Sequence, residues 1–211
     1  ELAEGVAAWE WASTAESLAD ADLVIATCGD VPTLEALAAV DLLRDHDVKV
    51  WFVNVVDLLK IQNACENDQA ISDERFVEFF GAGDKPVLFC FHAYAGTIRR
   101  LVWERPGHDA WCVHGYEEKG STTTPFDMLR LNNMDRWALA AEALRLVDSA
   151  SCDLAHAGQI EAWEAFRLEA FEFAVEEGYD HPAFTDWVWP DAATSMEGSL
   201  SATQMTAGDN E

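Results

Sequence analysis

Residues 115–128 read GYEEKGSTTTPFDM, and this stretch holds the densest set of groups in the chain that can do chemistry. Tyr116 offers a phenol, Lys119 an ammonium, and Thr122, Thr123 and Thr124 three hydroxyls in a row. Gly115 opens the stretch and Pro125 lies within it, and both favour a rigid loop over a core segment. A second set follows an apolar run: His92 and Tyr94 close FCFHAY at 89–94. His92 suits a proton relay, an interface hydrogen-bond donor or a packed, satisfied imidazole. Tyr94 suits a pocket wall or a cap on the core. Lys119, with Arg99 or Arg100, can bring positive charge to a chain that has little of it, although ordinary surface ion pairs account for such residues equally well. The threonines can bond the loop's own backbone or a neighbouring domain.

Other familiar chemistries are missing. A single Gly29 follows the first apolar run, so the glycine pattern of a dinucleotide site is absent. No phosphate-binding P-loop run and no GxSxG occur. His92, His108 and His114 lie close in sequence but lack paired ligands at metal spacing, so no metal site is expected. Five cysteines without a CxxC read as reduced thiols and suggest a cytoplasmic location. The 39 acidic residues outweigh 13 basic ones, for a net charge of −26. Such a surface repels nucleic acid and anionic membranes. It suits either high salt or an ordinary acidic protein. No run of 18 apolar residues is present, so no membrane span is expected.

The elements that must position these groups are legible as alternating short apolar runs and helical stripes. DLVIATCGD (22–30), VKVWFVNVVDLLK (48–60), KPVLFCFHAY (85–94) and 110–114 read as strands buried on both faces. VPTLEALAAVDLLRDH (31–46) reads as a helix, with Thr33 as its cap or Pro32 in its first turn. Further helices are expected over 72–80, from 136 to about 148, and over 153–177. Residues 6–20 read as a short helix or capped turn, and 127–133 as an extended or turn segment. Trp187 and Trp189 read as a closing aromatic lid. The fold class is therefore α/β, a three-layer αβα sandwich on a mostly parallel sheet of four to six strands. Residues 1–190 form one domain and 191–211 an acidic flexible tail. Ligands of such sheets gather at the carboxyl ends of the strands. Thr27 to Asp30, Asn54 with Asp57, His92 to Gly96 and the 115–125 loop all fall there. Asp30 is expected to fix the turn or cap the helix rather than act as a base.

Four segments, CGDVPTLEALAAVDLLRDH, VKVWFVNVVDLLK, DKPVLFCFHAYAGTIRRLVW and HGYEEKGSTTTPFDMLRLNNMDRW, together resemble the C-terminal domain of phosphoketolase. The likeness runs through residues 6–190 and is most specific over 28–43 and 115–136. It implies the third, transketolase-like domain of an enzyme that cleaves xylulose 5-phosphate or fructose 6-phosphate with phosphate, giving acetyl phosphate. It implies thiamine diphosphate and Mg held by other domains, none in this chain, and a homo-oligomer in which this domain serves assembly and the active-site rim. His92, Tyr94, Tyr116, Lys119, Thr122, Thr123 and Thr124 are then rim or interface candidates, and the isolated domain is expected to be inactive. Two departures stand out. Ala93-Tyr94-Ala95 replaces the Gly-Tyr-Pro that the family commonly carries after the histidine, and Glu117 replaces a Lys after Gly-Tyr. An interaction or regulatory domain diverged from phosphoketolase is the alternative, and an independent small-molecule-binding domain a weaker third.

Overall fold

The computed structural model describes residues 3–117, 122–152 and 154–190. The expected tail at 191–211 and Lys119 lie outside them. Five strands form one mixed sheet in the order β1-β3-β2-β4-β5. They are β1 (Val6–Ala8), β2 (Leu23–Cys28), β3 (Val50–Val55), β4 (Val87–Phe91) and β5 (Trp111–Gly115). The pairs β2–β3, β2–β4 and β4–β5 are parallel, and β1 runs antiparallel to β3, with Val6 opposite Val55.

Strand side chains alternate between two faces, and here both faces are apolar. Leu23, Ile25, Val50, Phe52, Leu88 and Cys90 pack on one side, against helices α1 (Asp30–Leu43), α5 (Arg136–Ser151) and α6 (Ala157–Glu177). Val24, Ala26, Trp51, Val53, Val87, Phe89 and Val113 pack on the other, against α2 (Asp73–Phe80) and α3 (Ala95–Leu101). The three-layer αβα sandwich expected from the sequence is thus the observed architecture.

Polar anchors fix the layers. Glu35 of α1 and Arg136 of α5 are both buried and form a forked ion pair, with Arg136 Nη2 2.7 Å from Glu35 Oε1 and the Arg136 amide donating to Oε2 at 2.8 Å. On the opposite face Arg105 is 1% exposed. It donates to the carbonyls of Ile61, Lys60 and Ile71 at 3.2, 3.3 and 2.7 Å and to Asp73 at 2.6 Å. One guanidinium therefore ties the 58–73 segment to the turn after α3.

Several local expectations are corrected. Residues 6–20 hold strand β1 and a 3-10 turn at Leu18–Asp20 rather than a helix, because Val6–Ala8 completes the edge of β3. The second long strand stops at Val55. Asp57 then accepts from the Leu59 amide at 3.0 Å and starts a 3-10 turn at Leu58–Ile61. Helix α1 begins at Asp30, before both Pro32 and Thr33, and the Thr33 hydroxyl donates back to the Gly29 carbonyl at 2.6 Å. The segment read as extended over 127–133 is helix α4 (Pro125–Leu131), with Pro125 in its first turn and Thr124 as its cap. Trp187 donates to Asp41 of α1 at 3.0 Å, and Trp189 meets Trp11 edge-on with the Arg44 guanidinium at the end of α1 over its ring.

Candidate functional site

Strands β2, β3, β4 and β5 are mutually parallel in the order given, so their carboxyl ends share one rim of the sheet. His92 follows β4 directly, and Tyr116 follows the neighbouring β5. Their rings meet edge to face, 4.7 Å apart and inclined at 79°. The Tyr116 amide donates to the Ala93 carbonyl at 3.0 Å, which locks the two strand exits together. Gly115 makes this approach possible. A Cβ there would lie 2.5 Å from the Ala93 carbonyl oxygen and 2.5 Å from the Ala95 amide nitrogen. Neither Ala93 nor Ala95 has a positive φ, so this joint does not call for glycine at either position.

The other candidates divide. Tyr94 is 64% exposed and projects from the start of α3 at the same rim. The loop threonines are mostly structural. Thr124 accepts from the Asp127 amide at 3.3 Å, and Thr123 donates to the Asp127 carboxylate at 2.7 Å. Both hydroxyls serve the start of α4. Thr122 is exposed. Asp30 is the first residue of α1, with Gly29 at the cap position; its carboxylate accepts from the Val31 amide at 2.8 Å in the first turn and lies 3.9 Å from His92 Nδ1. A shallow cleft of about 410 Å³ opens near α3, lined by Gln62, Glu66, Gly96, Thr97, Arg100 and Leu101.

The sequence reading missed the residues that hold the loop. Asn132 accepts from the Glu117 amide at 2.9 Å and donates to the Met128 carbonyl at 2.8 Å. Asp180, 7% exposed, accepts from the Phe126 amide at 3.1 Å. It comes from the segment after α6, 54 residues away, so no local pattern announces it. A second missed group is Cys112 and His114 of β5 with Glu142 of α5. Cys112 and His114 are two apart on a strand and so share a face. Burial, then the neighbouring Glu142 carboxylate, pushes the Cys112 thiol up to about 12. Burial holds the His114 imidazole below its ordinary range, partly offset by Glu142. Among the described residues, neither His92 nor His108 joins a comparable cluster.

Residues 1–189 match the XFP C-terminal domain. The chain belongs to that family. The resemblance to the phosphoketolase C-terminal domain is thereby shown. Similar curated proteins agree: the chain is 53% identical over 211 residues to the probable phosphoketolase of Bifidobacterium animalis subsp. lactis, covering 100% of this chain and 25% of that protein. It is 41% identical over 189 residues to the probable phosphoketolase of Gloeobacter violaceus, covering 89% of this chain and 23% of that one. The chain therefore spans about a quarter of the length of these relatives. Among solved structures, a transketolase of Pichia stipitis in complex with sedoheptulose 7-phosphate superposes with a TM-score of 0.50 at 16% identity, over 72% of this chain and 19% of that one. That likeness concerns the fold alone. Among the described residues, no helix is long and apolar enough to cross a membrane.

Proposed function

We propose that this chain is the C-terminal domain, residues 1–190, of a cytoplasmic phosphoketolase. The whole enzyme cleaves xylulose 5-phosphate, fructose 6-phosphate or both with inorganic phosphate, to acetyl phosphate and an aldose phosphate. This domain supports homo-oligomer assembly and forms part of the active-site rim. The observation that carries the rim assignment is the His92–Tyr116 pair, held at the carboxyl edge by the Tyr116–Ala93 hydrogen bond. An imidazole and a phenol at a parallel-sheet rim can donate to phosphate or sugar oxygens.

Thiamine diphosphate with Mg is the cofactor that this reading requires, and the rim residues do not fit it. The Asp30 carboxylate already takes the first-turn α1 amide that an anion would seek, and Asp57 adds a second carboxylate at the end of β3. A diphosphate is repelled by such a pair. The reading accordingly assigns the cofactor to the rest of the enzyme and gives this chain only orienting and hydrogen-bonding work.

Steady-state kinetics of the full-length protein test this. His92→Gln is expected to raise KM for the ketose phosphate about tenfold, a loss of ~1.4 kcal/mol of substrate binding, with thiamine diphosphate affinity unchanged. A matched loss of cofactor affinity, or an unchanged KM, defeats the rim assignment. Calorimetry of chain 1–211 with thiamine diphosphate and Mg is expected to show no binding.

A further inference from the structure

We propose that Cys112, His114 and Glu142 form a binding site for one zinc-class divalent ion, on the α5 side of strand β5 and leading up to Tyr116 of the rim. One ligand atom from each residue lies within 4.8 Å of the other two. A tetrahedral ion with bonds of about 2.0–2.3 Å wants its ligand atoms roughly 3.3–3.7 Å apart. Cys112 Sγ and Glu142 Oε1 are already at 3.4 Å. The widest ligand spacing, up to 4.8 Å, exceeds this by about 1 Å, which ion binding has to draw in.

The surroundings prepare two of the ligands. His114 Nδ1 lies 3.1 Å from the Asn133 carbonyl, which can only accept. The proton is therefore on Nδ1, and Nε2 keeps its lone pair, the arrangement that metal-bound imidazoles use. Arg145 Nη1 holds Glu142 Oε2 at 3.3 Å, which leaves Oε1 turned to the thiol. Burial and the Glu142 carboxylate keep Cys112 a thiol, with Arg99 only partly opposing them, so a bound ion has to displace its proton. A thiol, an imidazole and a carboxylate in one cluster suit zinc or cobalt better than magnesium or calcium, which prefer oxygen alone. On binding, the Cys112 S–H bond breaks, a sulfur–metal bond forms, and the proton leaves to the buffer, with no change of oxidation state. Three protein ligands leave a fourth position for water or an outside donor.

Cobalt(II) is the probe, titrated into reduced chain 1–211 carrying Cys65→Ser and Cys152→Ser, which removes the two exposed thiols. The expected result is one cobalt per chain, with a thiolate-to-cobalt charge-transfer band and release of protons. Adding Cys112→Ser is expected to abolish the band, and Glu142→Gln to weaken binding at least tenfold. A missing band in the parent, or a band that survives Cys112→Ser, overturns the proposal. Circular dichroism checks the fold of each variant. X-ray absorption on the zinc-loaded chain without substitutions gives a reading that does not depend on them. One sulfur and one imidazole in the metal's shell support the site, and oxygen alone sinks it.

Discussion

Replacing Gly115 with alanine adds one methyl group at the point where β5 crosses the exit of β4. The new Cβ would stand 2.5 Å from both the Ala93 carbonyl oxygen and the Ala95 amide nitrogen, and 3.1 Å from the Ala95 Cα. Optimal carbon contacts are about 3.5–4.0 Å, and all three obstacles are backbone, so no side chain can swing away. Overpacking of this kind costs about 1–3 kcal/mol. Relief by separating the strand exits stretches the Tyr116–Ala93 hydrogen bond, now 3.0 Å, for about 1 kcal/mol more. The expected loss is therefore roughly 2–4 kcal/mol. With a urea slope of ~2 kcal/mol per molar, the midpoint falls by about 1–2 M. Gly96→Ala is the control: nothing lies within 4 Å of its Cβ, and a helical Gly→Ala change is expected to be neutral or to stabilise by about 0.5–1 kcal/mol. Proton NMR of His92 supplies a second reading, because its ring sits edge-on to Tyr116 and shifts when that contact opens. Equal midpoints for Gly115→Ala and the unaltered chain, with an unmoved His92 signal, would refute the account of this rim.

Two further outcomes follow from buried charge. Arg105→Met removes four hydrogen bonds from a guanidinium with no exposed side-chain surface. A loss of about 2–4 kcal/mol is expected as the Lys60, Ile61 and Ile71 carbonyls lose their donor, with new proteolytic cuts within 62–71; an unchanged urea midpoint and cleavage pattern would contradict the clamp. Burial holds the His46 imidazole below its ordinary pKa, with Asp45 and Asp47 opposing the shift and His156 adding to it. The unfolded chain then takes up this proton more readily, so His46 costs nothing above about pH 6.5 and destabilises as pH falls below it. Melting temperature is expected to drop on acidification through that window, less steeply in His46→Gln. An identical slope in the variant would remove His46 from the explanation.

The layers were legible in the sequence because a parallel sheet buried on both faces needs continuous apolar runs, and β2, β3 and β4 supply them. Strand β1 was not, since three residues carry too little periodicity and Val6 owes its conformation to Val55, far along the chain. Helix α4, expected as an extended or turn segment, is only seven residues long and ends against Asn132 and Asn133. They sit just past its end, and the left-handed backbone of Asn133 belongs to the joint before α5. The meeting of His92 with Tyr116 was readable as far as strand order places both at one rim. That Thr123 and Thr124 serve α4 instead of facing outward required the helix itself. Glu142 joins Cys112 and His114 only through the rotation of α5 over β5, which interdigitating side chains decide and sequence spacing does not.

The reversed direction of β1 has an architectural consequence. Because Val6 pairs with Val55 at the far end of β3, and Gly5 lies against Asp57 and Lys60, polypeptide enters the sandwich on the side where the parallel strands finish. In a longer protein that carries this domain, whatever module comes before it is tethered next to the His92–Tyr116 side rather than beneath the sheet. A forward-running first strand would deliver it to the opposite floor.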